Sequence, residues 1–537
     1  MHGRLKVRTT AEMQAITKKK EQEKAKYYKS QMEKIFAKRK EQQLDEEMLT
    51  LTAEVVAMNP DVATLWNIRR ESLLKMKDTI EDINAVVEKE LKLTETGLRV
   101  NPKSYCAWHH RCWVLDQYAE KPNWERELQL CTKYLELDER NFHCWDYRRY
   151  VVDHHSAELI KELNYSEQKL ISNFSNYSAW HYRSKLIPRI YCAFEREKLV
   201  ENDIYRQEVS LVENAVYTDP NDQSAWFYHR WLLGHITNSV RIIQAGIDAS
   251  NSLCWVAIHP TTPGITVQGF GNDKWEYLNE DKFSNILVKK VTNLKPSEKN
   301  KVTLFHNDNE VDSVDFNQDK IICRSADFRP VLSDTEKNYL KQQLDSYKQL
   351  VQLEPQNKWA LLAMNLIKEK LGEEVDIDTL EKLKSIDKLR ANYYSDFVSR
   401  LVMERKLSSI NDWSGSFVAG SISLTAFYHS YYFTHFQEVD LSDNPLGDGL
   451  IEKLSVLFSC KVLKLRNCKI TSIDSFPALK NLRILDLSNN PIYCDTPPAG
   501  LSNCDSLEEF ICDQISITSS VVSRITSSCK VPQSEST

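Results

Sequence analysis

Glycine is scarce, at 13 of 537 residues, and no G-x-x-x-x-G-K-[ST] loop is present to cradle a nucleotide phosphate. The H-E-x-x-H pair of helix-borne zinc proteases and the G-x-S-x-G nucleophile elbow are missing too. No run approaches the roughly 20 apolar residues of a membrane span. The first residues carry charge with no apolar core behind it, so no secretory signal is expected. A formal net charge of −6 removes any bulk electrostatic argument for nucleic acid. Thirteen cysteines, an odd number, then read as reduced thiols of a cytoplasmic protein.

What is present is length, helix-forming composition and repetition. The chain is too long for one ordinary core, and two to four domains are expected. Residues 1–40 hold 13 Lys and Arg against four Glu, which reads first as a solvated helix face.

Aligning on tryptophan reveals the repeat: "NPDVATLWNIRR" around Trp66, "NPKSYCAWHHRCW" around Trp108, "DERNFHCWDYRRY" around Trp145, "FSNYSAWHYRSKL" around Trp180 and "DPNDQSAWFYHRWLL" around Trp226. A worn sixth copy, "LEPQNKWALLAM", surrounds Trp359. The first four intervals are 42, 37, 35 and 46 residues, the length of a two-helix hairpin with variable loops. Proline six residues before Trp66, Trp108 and Trp226 suits a helix start. Arginine three residues after Trp66, Trp108, Trp145 and Trp180 lies one turn on, nearly on the same face. Trp145 and Arg148 are therefore scaffold, the tryptophan as an apolar knob against the neighbouring hairpin and the arginine as a charge for carbonyls or carboxylates at the hairpin ends. Before the third copy, Leu128, Leu130, Tyr134, Leu135 and Leu137 are spaced as a helical apolar stripe. "CAWHHRC" offers Cys106, His109, His110 and Cys112, but without a second ligand pair at zinc spacing it reads as core packing.

Two regions break the pattern. Between Trp226 and Trp359 lie short alternating or β-branched runs: "CWVAI" (254–258), "GITVQG" (264–269), "NILVKKV" (285–291), "KVTLFH" (301–306) and "KIICRS" (320–325). Pro, Gly, Asn and Asp separate them, as in a small inserted β-sandwich of immunoglobulin-like kind. From Phe436 onward, "FQEVDLSDNPL", "CKVLKLRNCKI", "LRILDLSNNPI" and "LEEFICDQISI" fit the leucine-rich repeat. Asn444, Cys468 and Asn490 hold the turn position, with Gln514 near it in a degenerate fourth copy. The expected divisions are 1–238 helical hairpins, 239–334 β-sandwich, 335–435 further helical repeats and connector, and 436–537 leucine-rich repeats.

The P-x5-W-x2-R hairpin resembles the α subunit of protein prenyltransferases; tetratricopeptide repeats are the alternative, with a stricter period of about 34. The β insert and leucine-rich tail narrow the resemblance to the Rab geranylgeranyltransferase type. That resemblance implies a mainly α fold, a right-handed superhelical crescent of hairpins interrupted by the sandwich and closed by the leucine-rich α/β domain. It implies a heterodimer in which the β subunit holds zinc and the lipid pocket. Geranylgeranyl would pass from geranylgeranyl diphosphate to carboxy-terminal cysteines of Rab GTPases presented by an escort protein. The family's K-N-Y-H-x-W segment, which reaches the diphosphate, is here "RNFHCW" (140–145). On that basis Arg140 is the expected diphosphate contact, the alternative being a helix-end arginine paired with Asp138 or Glu139, and Asn141, Phe142, His143 and Tyr177 are expected to line the substrate side. No metal is expected in this chain, though His2 is a conceivable ligand in a partner. A non-enzymatic adaptor and a farnesyl-type α subunit are the alternatives; the loss of a tyrosine hydroxyl at Phe142 speaks against the latter.

Overall fold

The computed structural model describes residues 11–155, 158–191, 203–234, 240–248, 253–261, 264–269, 274–280, 284–290, 300–316, 322–492 and 499–512. His2 and Gln514 lie outside the described residues. The chain divides into two compact units, Met1–His229 and Arg230–Thr537.

In the first unit a long helix α1 (Ala11–Lys40) precedes five helical hairpins. They are α2 (Glu46–Met58) with α3 (Ala63–Met76), α4 (Ile83–Val100) with α5 (Tyr105–Tyr118), and α6 (Trp124–Leu137) with α7 (Phe142–His155). The last two are α8 (Leu159–Ser172) with α9 (Tyr177–Tyr191), and α10 (Ile204–Thr218) with α11 (Gln223–Gly234). Asp45, Asp82, Ser104 and Asn123 cap their helices by accepting a backbone N–H from the first turn. The first helix of each hairpin is amphipathic and the second carries the tryptophan. In α6 the buried stripe is Glu127, Cys131, Tyr134 and Leu135; Leu137, placed on that stripe by its spacing, is 75% exposed. The polar Glu127 belongs to the buried stripe because the core of these hairpins is built around a buried charge.

That charge recurs four times. Arg69, Arg111, Arg148 and Arg183 pair with Glu90, Glu127, Glu162 and Glu208, each from the first helix of the next hairpin. The guanidinium also donates to a hydroxyl on its own hairpin's first helix: Thr52, Thr94, Thr132 or Ser166. The glutamate accepts a third contact from the next tryptophan-bearing helix. His110 is 2.9 Å from Glu90, and Tyr147, Tyr182 and Tyr228 donate at 2.6, 2.8 and 2.6 Å to the other three. Each node thus ties four successive helices across a hairpin boundary. Its desolvation is tolerable because donors and lone pairs are matched, and removing one partner of such a pair costs about 3–5 kcal/mol. Each of the five tryptophans, Trp66 to Trp226, donates its indole N–H to the carbonyl six residues earlier.

The second unit begins with the β insert. A five-stranded antiparallel sheet has the order β4 (Glu276–Tyr277), β5 (Ile286–Lys290), β2 (Leu253–His259), β1 (Arg241–Asp248), β8 (Ile322–Cys323). A three-stranded sheet runs β3 (Ile265–Gln268), β6 (Asn300–His306), β7 (Asn309–Phe316). The expected runs all contain strands, and β1, β4 and β7 are added to them. Ile242, Val256, Leu287, Val302 and Leu304 fill the core between the sheets. Ile243, Trp255, Ala257 and Ile286 point the other way, into a core shared with the leucine-rich repeats. Strand β1, "RIIQAGID", is buried on both faces, Gln244 included, which is why alternation did not reveal it.

Four helices follow: α12 (Asp334–Leu353), α13 (Lys358–Leu371), α14 (Ile377–Ile386) and α15 (Ala391–Ser408). The worn sixth copy keeps Trp359 buried but has Leu362 where the arginine stood, and an apolar cluster of Leu362, Leu380, Leu383 and Phe397 replaces the node. The leucine-rich slab is a parallel sheet of five strands: β9 (Ser416–Val418), β10 (Glu438–Asp440), β11 (Val462–Lys464), β12 (Ile484–Asp486) and β13 (Glu509–Ile511). It starts one turn before Phe436, with Phe417 in the inward position taken by Val439, Leu463, Leu485 and Phe510. Asn444 donates to Leu441 and Ala419 carbonyls and accepts from the Ile422 and Leu424 amides; Asn490 repeats the arrangement one turn pair later.

Candidate functional site

The "RNFHCW" segment occupies the turn of the third hairpin, between the end of α6 and the start of α7. Its backbone path is a repeated device. Seven residues before each tryptophan, an Asn or Asp side chain accepts the amide N–H two residues on: Asn59 from Asp61, Asn101 from Lys103, Asp138 from Arg140 (3.1 Å), Asn173 from Ser175 and Asp219 from Asn221. Four residues before the tryptophan, a polar side chain reaches back to the preceding hairpin. Ser104 donates to the Pro60 carbonyl, Asn141 to Pro102 and Asn176 to Glu139, at 3.0, 3.0 and 3.1 Å.

This sorts the expected site residues. Asn141 is fully buried, its amide on Pro102 and its carbonyl oxygen accepting the Cys144 amide, so its side chain belongs to the scaffold. His143 is also buried, its ring 4.1 Å from that of Tyr105 in an edge contact. Burial pushes its pKa below the ordinary histidine value, and Lys103 adds to that while Asp146 opposes it; the imidazole is neutral at neutral pH. Phe142 and Tyr177 are 49% and 54% exposed. Tyr177 stands apart from Phe142: its ring neighbours are His181 and Phe227, each at 6.3 Å. Tyr105, absent from the sequence-based group, is 69% exposed and lies 6.3 Å from Phe142. Its register was the available signal, since Tyr105, Phe142 and Tyr177 all stand three residues before their tryptophans.

Arg140 is exposed, and among the described residues no carboxylate or carbonyl engages its guanidinium. The two carboxylates beside it are taken. Asp138 pairs with Lys103 at 3.0 Å, and Glu139 accepts from the Asn173 side chain. Burial would raise the Asp138 pKa, but Lys103 and the Arg140 amide hold it below the ordinary carboxylate value, so Asp138 stays anionic. A free planar fork at the start of a helix can meet an anion with two parallel N–H donors. For zinc the fit is poor. Among the described residues no group of three or more His, Cys, Asp or Glu could hold a metal ion. Of the "CAWHHRC" set, His110 is committed to Glu90 in the core, whereas His109 is exposed beside Arg70, 3.2 Å away, and is not core.

The hairpins match the model described as protein prenyltransferase alpha subunit repeat at residues 87–118, 124–155, 159–190 and 205–236. Residues 459–503 match the leucine-rich repeat model. Geranylgeranyl transferase type-2 subunit alpha from Sus scrofa is 34% identical, and the alignment covers 94% of both chains. The Homo sapiens protein of that name has the same identity and coverage. This chain belongs to the geranylgeranyl transferase type-2 α-subunit family. A third family member, from Dictyostelium discoideum, is 36% identical over 97% of its own length but only 56% of this chain. Family members thus exist that match little more than half of this one. A solved chain of Candida albicans protein geranylgeranyltransferase-I complexed with GGPP aligns at 16% identity and a TM-score of 0.42, over 70% of this chain and 91% of its own. Among the described residues, no helix of this α-subunit family member is long and apolar enough to cross a membrane.

Proposed function

We propose that this chain is the α subunit of a heterodimeric protein geranylgeranyltransferase of type 2. Its β partner would bind geranylgeranyl diphosphate and zinc. The acceptors would be carboxy-terminal cysteines of Rab GTPases presented by an escort protein, and the setting cytoplasmic. The observation that carries this reading is 34% identity to chains of that name over 94% of both lengths.

In this role the chain contributes a positioned cation. As the bond between the isoprenoid carbon and the diphosphate loosens, negative charge builds on the leaving oxygens. A donor that is unpaired beforehand stabilises that charge more than the ground state. Arg140 has these properties, and Phe142, Tyr105 and Tyr177 offer apolar surface along the same ends of their helices. When bound by the partner, zinc supplies the acidity of the acceptor thiol.

The test is single-turnover lipid transfer by the purified heterodimer. Arg140→Ala is expected to slow transfer roughly 10- to 100-fold, the range for losing a hydrogen bond to a charged group, with the heterodimer intact on gel filtration. An unchanged rate would remove Arg140 from the site, and a chain that forms no complex with a type-2 β subunit would overturn the whole reading.

A further inference from the structure

The hairpin turns of the first unit are joined by a second ladder, separate from the buried arginine nodes. It links the residue seven before one tryptophan to the residue five before the preceding tryptophan. Between the first and second hairpins, Asn101 Nδ2 donates to Asp61 Oδ2 at 2.8 Å. Between the second and third, Lys103 Nζ pairs with Asp138 Oδ2 at 3.0 Å. The next rung would join Arg140 to residue 173, the same two positions one repeat on.

That rung is absent. Residue 173 is asparagine, and its side-chain amide has turned to Glu139, one residue before Arg140. Its carbonyl oxygen accepts the Ser175 amide at 3.0 Å, so both ends of Asn173 are committed and neither faces Arg140. Two cations therefore occupy equivalent positions in successive hairpins. Lys103 is clamped by Asp138, and among the described residues Arg140 is not clamped. The difference is the side chain at 173, an amide where the previous hairpin has a carboxylate.

We infer that Asn173 is a positioning residue, which breaks the ladder at one rung and ties down Glu139 so that the Arg140 guanidinium stays available to a diphosphate. The inference rests on the reading of Arg140 given above. It accounts for which of the two cations is presented and assigns a role to a residue two hairpin elements away in the chain.

Asn173→Asp tests it, because the substitution is isosteric and keeps the acceptor for Ser175. The carboxylate would complete the rung to Arg140 and release Glu139 beside it. In the purified heterodimer, transfer is expected to fall about three- to fivefold, the range of an exposed ion pair. Inhibition by inorganic diphosphate should weaken by a similar factor. Both effects should shrink as salt is raised from about 50 to 500 mM, since the clamp is exposed and screened. In an Arg140→Ala background, Asn173→Asp should have no further effect on either readout. The Glu139→Gln/Asn173→Asp pair removes carboxylate crowding and should retain the defect, and melting temperatures report folding for each variant.

A parent-like Asn173→Asp beside an impaired Arg140→Ala would overturn the inference alone. So would an equal loss in the Arg140→Ala background. A parent-like Arg140→Ala would overturn the site reading and the inference with it.

Discussion

Arg148 and Arg140 lie eight residues apart in one hairpin and have opposite fates. Arg148 is 4% exposed, bonded twice to Glu162 at 2.7 Å and stacked on the Tyr165 ring 3.8 Å away. Arg140 is exposed with its nearest carboxylates bonded elsewhere. Among the described residues, the interior of the hairpins therefore pairs the arginines it buries, while Arg140 at the turn end is left open. The same residue type serves as scaffold or as candidate site depending on whether a neighbouring repeat supplies a carboxylate.

The contrast is broken most forcefully from the interior. Arg148→Ala leaves Glu162 buried without its cation and should destabilise the first unit by about 3–5 kcal/mol, read as a lowered urea midpoint. Replacing both partners, Arg148→Met with Glu162→Leu, should recover most of that loss, as expected when a buried pair gives way to apolar residues of similar volume. If Arg148→Ala alone were as stable as the parent, the nodes would not be what holds the hairpins.

Acid should attack the interior next. Burial alone would raise the pKa of Glu90, but His110 and Arg69 outweigh it and hold the carboxyl down to about 2, from an ordinary 4.5. A depressed acid contributes its stability above the unfolded value and loses it as pH falls through the folded one. Melting temperature should thus fall between about pH 4.5 and pH 2, and Glu90→Gln should flatten that limb. A limb of the same steepness in the variant would assign the acid sensitivity to other groups. The smallest effect belongs to the turn end. Leu137→Ser, at an exposed position, should change the stability of the chain by no more than ~0.5 kcal/mol, checked by the same urea titration. A larger loss would place Leu137 in the core its spacing first suggested.

Much of the fold was legible because repetition is a one-dimensional signal. Tryptophan spacing located the hairpins, and the asparagine-bearing turns located the leucine-rich slab. Strands β1 and β7 were missed for different reasons. The first is buried on both faces and shows no alternation, and the second, "NEVDSVDF", carries Glu310, Asp312 and Asp315. The first leucine-rich strand was hidden because phenylalanine and valine stand where leucine was sought. In the motif segment, Phe142 and Arg140 are exposed. Asn141 does not stand out from them in the sequence, yet hydrogen bonding buries it. Tyr105 stands in the copy before the motif, and packing sets its ring against Phe142 and His143.

By itself, the sequence determined the order of modules, the period of each repeat and the family, because those depend on spacing along one chain. Tertiary structure alone decided the state of each charge. The glutamates of the nodes come from the next hairpin, 14 to 25 residues away. The position that would pair with Arg140 is on the next hairpin too, where Asn173 bonds to Glu139 and Ser175 instead. Whether an arginine is neutralised is settled by what the neighbouring repeat places against it, and that requires the stacking of hairpins in three dimensions.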